Sequence, residues 1–82
     1  MEFKINIYDL DNNYKYMTDM MKNNDPVFTK EFNKPKTEEE FNAFVASFDY
    51  EGYLYEILKN GESYCEGIVT ADSLHDDLMI NI

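Results

Sequence analysis

Apolar and polar residues alternate at the start of the chain. Over residues 2–8, every second position is apolar, at Phe3, Ile5 and Ile7. A period of two predicts a β-strand with one buried face. The turn-forming residues 9–13 then end the alternation, so the first strand is expected to stop there.

The spacing changes to a helical one over residues 12–23. Tyr14, Met17 and Met21 lie at i, i+3 and i+7, which places them on one face of a helix. Pro26 follows, and the residue before a proline is pushed out of the helical region. We therefore predict a helix that ends before Pro26.

The next two segments differ in regularity. Residues 27–36 are predicted to form a loop or a short edge strand, whereas residues 38–48 carry a clear helical pattern. Thr37 and Glu40 have the spacing of a capping box, which predicts the first turn. The apolar face of this second helix consists of Phe41, Phe44, Val45 and Phe48.

Residues 51–70 are predicted to form a β-hairpin. Asn60-Gly61 is a preferred type I′ turn, which places Lys59 opposite Glu62. With regular pairing, one face carries Leu54, Glu56, Leu58, Cys65, Gly67 and Val69. The other face carries Glu51, Tyr53, Tyr55, Ile57, Glu62, Tyr64, Glu66 and Ile68. We expect the first face to pack on the helices, and Gly67 on that face leaves room for a helix to approach closely.

The end of the chain is predicted to add another strand. Residues 71–76 read as a turn or one helical turn, and residues 77–82 place Leu78, Ile80 and Ile82 in alternation. The expected fold class is α+β: a small single domain with a three- to four-stranded, mainly antiparallel sheet and two helices packed on one face.

Composition limits the possible classes of protein. The chain has 82 residues, of which 44% are hydrophobic and 16% aromatic, so it has the apolar content of a folded domain. Cys65 is the one cysteine and excludes an internal disulfide. The start lacks the layout of a signal peptide, and no apolar run approaches the ~20 residues that cross a bilayer. The sequence thus predicts a soluble, cytoplasmic protein without a membrane partner.

The charge is divided unequally along the chain. Residues 1–36 hold six carboxylates and six lysines, whereas residues 37–82 hold eleven carboxylates and Lys59 alone, so the whole net charge of −10 belongs to the second part. There is no arginine. A field of one sign repels nucleic acid and attracts basic surfaces, which predicts a basic protein partner and no direct nucleic-acid binding.

Two groups of residues could in principle bind a metal ion. Residues 9–13 begin like a calcium loop, but Tyr14 and Met20 stand where that loop needs Gly and Glu. His75 lies near Asp72, Asp76 and Asp77, yet no second histidine accompanies it. A helix-capping turn and a solvated turn are the preferred interpretations, and no cofactor is predicted.

Enzymatic activity has little support in the sequence. Cys65 falls in the middle of a predicted strand facing the core, with no basic neighbour to lower the pKa of its thiol. No glycine-rich phosphate loop or catalytic triad is present, and a chain this short leaves little room for a substrate cleft. We therefore expect a protein that is not an enzyme.

An acidic and tyrosine-rich surface is the remaining candidate site. Same-face positions on a strand repeat every ~6.6–6.8 Å, twice the ~3.3–3.4 Å rise. That spacing is commensurate with DNA phosphates at ~3.4 Å per strand. Tyrosines supply rigid contact area at interfaces. The predicted partner-binding residues are Glu51, Glu62, Glu66, Tyr53, Tyr55, Tyr64, Glu38, Glu39, Asp76 and Asp77.

In these features the chain resembles the small acidic inhibitors that phages and mobile elements direct against host defence enzymes, which include anti-CRISPR and anti-restriction proteins. The shared features are the charge of −10 in residues 37–82, the hairpin from Tyr53 to Ile68 with acids and tyrosines on one face, and the helix start at Thr37-Glu38-Glu39-Glu40. The resemblance implies a phage-encoded DNA mimic acting in a host bacterial cell on a CRISPR effector or another defence nuclease.

Two other functions use the same features. An immunity or antitoxin-like protein would neutralise a basic toxin with the same acidic surface. A homo-oligomeric adaptor, in the simplest case a homodimer, would use the aromatic hairpin face as its contact. The leading expectation is a non-enzymatic inhibitor that imitates nucleic-acid charge, and that expectation predicts binding that weakens as salt passes about 0.3 M.

Overall fold

Four strands and three helices make up the described part of the fold. The computed structural model of the chain describes residues 2–10 and 16–81. The elements are β1 (Phe3–Tyr8), α1 (Met17–Asn23), β2 (Phe28–Phe32), α2 (Glu38–Ala46), β3 (Leu54–Lys59), β4 (Glu62–Ile68) and α3 (Ala71–His75), which continues as a π-helical turn over Asp76–Ile80. The strands form one antiparallel sheet in the order β2-β1-β3-β4. The predicted α+β class is confirmed.

One face of the sheet carries the main core. The inward residues of β1 and β3 pack there with residues of β2, α2, α3 and the π-helical turn. The buried cluster consists of Phe3, Ile5, Ile7, Phe32, Phe41, Phe44, Tyr55, Ile57, Val69, Leu74 and Leu78. Two helices thus pack on one face, as predicted, but they are α2 and α3 rather than α1 and α2.

The first helix lies on the opposite face of the sheet. Met20 and Met21 of α1 form a separate buried cluster with Tyr8 and Leu54, which are cross-strand partners. Tyr8 follows inward-facing Ile7 in β1, and successive strand residues point to opposite faces. The predicted helix over residues 12–23 is confirmed over Met17–Asn23 but not at Tyr16, whose backbone is extended, and residues 12–15 lie outside the described residues.

Helix α2 begins as its sequence predicts. The Thr37 hydroxyl accepts a hydrogen bond from the Glu40 amide at 3.1 Å, and the Glu40 carboxylate accepts one from the Lys36 amide at 2.8 Å. The helix ends at Ala46, two residues before the predicted end. Residues 28–32 form edge strand β2, one of the two alternatives that the sequence left open for this segment.

The hairpin has the predicted turn but not the predicted register. Asn60 and Gly61 have φ angles of 52° and 86°, as a type I′ turn requires. Lys59 pairs with Glu62 and Leu58 with Ser63, but Ile57 pairs with Cys65. Tyr64 is thus the extra residue of a β-bulge. Because one inserted residue reverses the alternation, the two faces of β4 exchange beyond it.

Residues 71–80 are helical, so the predicted strand over residues 77–82 is wrong in its described part, and residue 82 lies outside the described residues. The Thr70 hydroxyl caps α3 by accepting a hydrogen bond from the Ser73 amide at 3.1 Å. Leu74 and Leu78 lie four positions apart and are both 0% exposed, whereas Ile80 is 67% exposed. A helical spacing therefore accounts for which apolar residues are buried. Within the described residues, no helix has the length and apolarity that crossing a membrane requires.

Candidate protein-binding surface

The bulge at Tyr64 divides the acidic residues of the hairpin between two faces. Glu62 pairs with Lys59, whose other partner is the core residue Phe3. Glu66 lies on the opposite face, where it pairs directly with Glu56. The predicted single face of acids and tyrosines along the hairpin is therefore wrong. The regular spacing of carboxylates along that face is lost with it.

The three predicted tyrosine anchors have different environments. Tyr55 is 0% exposed, so the prediction that it lies on the outward face is wrong. Tyr53 is half-buried and packs edge-on against Tyr50, with 5.2 Å between the ring centroids. Tyr64 is 48% exposed. Of the three, Tyr64 offers the largest accessible ring to a partner.

A polar cluster around the Tyr55 hydroxyl ties the C-terminal helix to the sheet. The hydroxyl is 2.9 Å from the Ser73 hydroxyl and donates a hydrogen bond to the Asp77 carboxylate. Burial and the bond to Asp77 raise the pKa of Tyr55 well above its ordinary value. Asp77 is half-buried, and its carboxylate accepts the hydrogen bond from Tyr55. The prediction that Asp77 lies on the exposed partner-binding surface is therefore corrected.

The thiol of Cys65 lies in the same region and is in an environment that makes it unreactive. Burial, followed by the negative charge of Asp77, raises its pKa to about 12. The thiolate is the reactive form of cysteine, and a pKa this high leaves almost none of it at neutral pH. This environment argues against Cys65 as a nucleophile.

Two acidic segments that are distant in the sequence meet where α2 begins. The Glu38 carboxylate contacts Nε2 of His75 at 2.8 Å, and the His75 ring stands edge-on to Phe41 with 5.1 Å between the centroids. Asp72 and Asp76 are three residues before and one residue after His75. We name Glu38, Glu39, Asp72 and Asp76 the α2–α3 acidic patch; all four are exposed.

Among the described residues, no lysine forms an ion pair with this patch. Lys59 forms its ion pair with Glu2, at 3.5 Å, and the Lys30 ammonium donates to the Ser47 hydroxyl at 2.6 Å. Within residues 2–10 and 16–81, the one side-chain contact of the patch is the hydrogen bond between the Glu38 carboxylate and the His75 ring. The other three carboxylates remain available to a partner.

A shallow groove with both apolar and polar lining residues lies at the other end of α2. It encloses about 190 Å³ between the end of α2, the following loop and the start of α3. Its lining residues are Val45, Phe48, Asp49, Tyr50, Glu51, Val69, Thr70, Ala71 and Leu74. Sequence reasoning identified Glu51 but missed Asp49. The alternation of aromatic and acidic residues from Phe48 to Glu51 was the available signal.

The candidate metal sites gain no support from the geometry. Among the described residues, no three histidine, cysteine or carboxylate side chains are grouped so that they could hold an ion. Asp9 is exposed, and residues 11–13 of the candidate calcium loop lie outside the described part of the chain. Asp77, predicted near His75, turns instead to Tyr55.

Comparison with known proteins leaves the surface as the main guide to function. No protein family, curated protein or solved structure matches this chain.

Proposed function

We propose that this chain is a non-enzymatic inhibitor that imitates the charge of nucleic acid and blocks a nucleic-acid-binding defence enzyme. The observation that carries the proposal is the α2–α3 acidic patch, defined by Glu38, Glu39, Asp72 and Asp76. The contact between Glu38 and His75 joins two segments that are 37 residues apart in the sequence. Their carboxylates together present a negative surface where the chain carries its excess charge.

The arrangement suits the lysines and arginines that normally hold phosphates. Asp72 and Asp76 are four positions apart on a helical segment, and side chains with that spacing are ~5–6 Å apart at Cβ. Carboxylates and phosphates accept the same charge-assisted hydrogen bonds from guanidinium and ammonium groups. A basic channel that binds a nucleic-acid backbone could therefore bind this patch in its place.

Capping explains only part of the acid content at the start of α2. Glu40 bonds to the Lys36 amide and so stabilises the first turn. Glu39 is exposed and has no such contact within the described residues. Carboxylates near a helix N-terminus stabilise it by about 0.3–1 kcal/mol each. That stabilisation does not account for Asp72 and Asp76, which belong to the helical segment of His75.

The test begins with capture of partners on the immobilised chain from a bacterial lysate at low salt. Proteins eluted by salt are identified, purified and assayed for nucleic-acid binding and cleavage with the chain added at equal molarity. We expect loss of nucleic-acid binding at a 1:1 ratio and an affinity that falls steeply as salt passes about 0.3 M. A partner that still binds its nucleic acid, or a salt-independent affinity, contradicts the proposal.

A matched pair of variants separates this patch from net charge. Glu39→Gln with Asp76→Asn removes two patch carboxylates, and Asp19→Asn with Asp25→Asn removes two exposed carboxylates from the electrically balanced part of the chain. The first pair is expected to weaken inhibition strongly and the second to leave it nearly unchanged. Equal losses would mean that only total charge matters.

A further inference from the structure

We propose that the groove between α2 and α3 is a receptor for one arginine side chain of the partner protein. The groove is defined by the nine lining residues given above, among them Phe48, Asp49, Glu51 and Ala71. This inference rests on the proposed function, because it names the group that a basic partner inserts. It concerns a different surface from the α2–α3 acidic patch.

The size of the groove favours a single side chain over a free small molecule. Pockets for drug-sized ligands enclose roughly 300–1,000 Å³, whereas this one encloses about 190 Å³. Its floor contains Val69 and Leu74, which are 4% and 0% exposed. Val45 and Phe48 are half-buried beside them and give the groove an apolar wall.

Two carboxylates with no internal partner stand at the rim. Asp49 and Glu51 are both exposed, and within the described residues neither makes a side-chain hydrogen bond or an ion pair. An apolar wall beside two free carboxylates fits a side chain with an aliphatic stem and a positive head. Charge complementarity therefore selects a cation, and the wall excludes a fully hydrated ion.

Arginine fits this combination better than lysine. Its planar guanidinium is weakly hydrated, stacks on aromatic rings and offers several donors in a fixed geometry to carboxylates. The rings of Phe48 and Tyr50 line the groove next to Asp49 and Glu51. A second copy of this chain cannot supply the occupant, because the sequence contains no arginine.

The direct test is a titration followed by backbone amide NMR at constant ionic strength. The probe is arginine blocked at both ends as the N-acetyl, N-methylamide derivative, with equally blocked citrulline and lysine as comparisons. We expect arginine to shift the amides of residues 45–51 and 69–74, lysine to do so less, and neutral citrulline not at all. Equal effects of citrulline and arginine, or shifts spread over all acidic segments, would overturn the inference, as would equal binding of lysine.

Variants distinguish the groove from general attraction. Ala71→Leu keeps the charge, and Ala71 is exposed, so the larger side chain fills the groove without removing any core atom. We expect it to abolish the arginine shifts, with Ala71→Met as a second filling variant should Leu disturb α3. Asp49→Asn with Glu51→Gln should weaken binding about tenfold, whereas Asp19→Asn with Asp25→Asn should not change it. Arginine binding that survives both filling variants contradicts the groove.

The outcome is separable from that of the proposed function. The titration needs no partner, so it reports on the groove alone. If blocked arginine does not bind while the chain still inhibits a basic enzyme in a salt-dependent manner, the groove inference fails and the inhibitor proposal stands. If arginine binds in the groove but no nucleic-acid-binding enzyme is inhibited, the inhibitor proposal fails instead.

Discussion

The two faces of the sheet are covered very unequally. On one face, α2 and α3 bury a cluster of eleven of the described residues, together with the hydrogen bonds of Tyr55. On the other face, α1 contributes Met20 and Met21 to a cluster of four. Burial of apolar area dominates folding free energy, so the stability of the domain is concentrated on the α2–α3 face.

The unequal covering of the two faces also affects where charged side chains lie. The well-covered face holds α2 and α3 rigidly enough to bring Glu38 next to His75 and to shape the groove. The less covered face tolerates Glu56 directly opposite Glu66, a like-charge cross-strand pair that costs some stability. Both candidate binding surfaces therefore lie at the edges of the large core, where helices fix their side chains.

Truncation of core residues should show the largest contrast between the faces. Leu74→Ala removes a 0% exposed side chain from the large cluster, and Met20→Ala removes a 2% exposed one from the small cluster. Large-to-small core changes cost about 2–5 kcal/mol, and we expect Leu74→Ala near the upper end and Met20→Ala near the lower. Urea unfolding measures both. A greater loss for Met20→Ala would reverse the comparison.

The polar cluster beside the large core predicts the next effect. Tyr55→Phe keeps the ring but leaves Ser73 and Asp77 without the hydroxyl. Loss of a partner for buried polar groups costs about 1–3 kcal/mol. Tyr64→Phe is the matched control, since its ring is 48% exposed, and it should change stability by no more than about 0.5 kcal/mol. Similar unfolding midpoints for the two variants would contradict the role assigned to the Tyr55 hydroxyl.

A smaller effect is expected at Gly67, which faces the same hydroxyl. A Cβ at this position would lie 3.0 Å from the Tyr55 hydroxyl and 3.1 Å from the Ser73 hydroxyl. Gly67→Ala should therefore cost about 1 kcal/mol through crowding. The cost should shrink when Tyr55→Phe is already present, because the crowding oxygen is gone. An unchanged cost in that double variant would place the strain elsewhere.

Alkaline pH should gradually lower the stability of the domain through groups on the α2–α3 face of the sheet. The pKa of Cys65 is raised by burial from 9.0 to about 12, and that of Tyr55 is raised from 10.0 for the same reason. Between the ordinary and the raised pKa values, the unfolded chain loses these protons at a lower pH than the folded chain does, so the free energy of unfolding falls as pH rises. The contribution is complete below about pH 9 and is lost progressively toward pH 12.

Melting temperatures from pH 8 to pH 10 measure this loss. Cys65→Ala should flatten the lower part of the profile, because it removes the group whose ordinary pKa is lowest. Lys59→Gln is a control for alkaline loss of lysine charge, since its ion pair with Glu2 is exposed and weak. A flat profile in the unmodified chain would contradict the assigned environment of the thiol.

Local signals in the sequence predicted the local elements well. The Thr37 cap forms because its hydroxyl needs only an amide three residues away. The Asn60-Gly61 turn forms because both residues tolerate positive φ. Strand β1 alternates as expected, with Ile5 and Ile7 fully buried. In each case the deciding interaction lies within a few residues.

The faces of the hairpin could not be predicted in the same way. Regular alternation from the turn placed Tyr55 outward and Glu62 with Glu66 on one face. In the structure Tyr55 and Ile57 face the core, so the predicted inward and outward faces of β3 are exchanged, and the bulge at Tyr64 brings Cys65 and Gly67 of β4 to that same core face. The free energy that favours this orientation comes from burying Tyr55 and Ile57 against helices α2 and α3. Those helices are separated from β3 in the sequence, so no pattern within the hairpin reveals which face is buried.

The last segment was misread because two periods coexist in it. Leu78, Ile80 and Ile82 alternate as in a strand, whereas Leu74 and Leu78 have the spacing of a helix. Thr70 as an N-cap was the overlooked signal for a helix. A helix buries both Leu74 and Leu78 in the large core, and this burial favours the helix over the strand.

The α+β class, the second helix with its cap, the type I′ turn and the concentration of negative charge after residue 36 follow from the amino-acid sequence alone. Those features depend on short-range backbone preferences and on composition. Three other features emerge from packing in three dimensions: which helices share a face, which tyrosine is buried, and that Glu56 and Glu66 lie opposite each other. These features depend on contacts between side chains that are distant in the sequence. The core of this small domain has room for only some of its apolar side chains, and the polar groups beside it must still find hydrogen-bond partners.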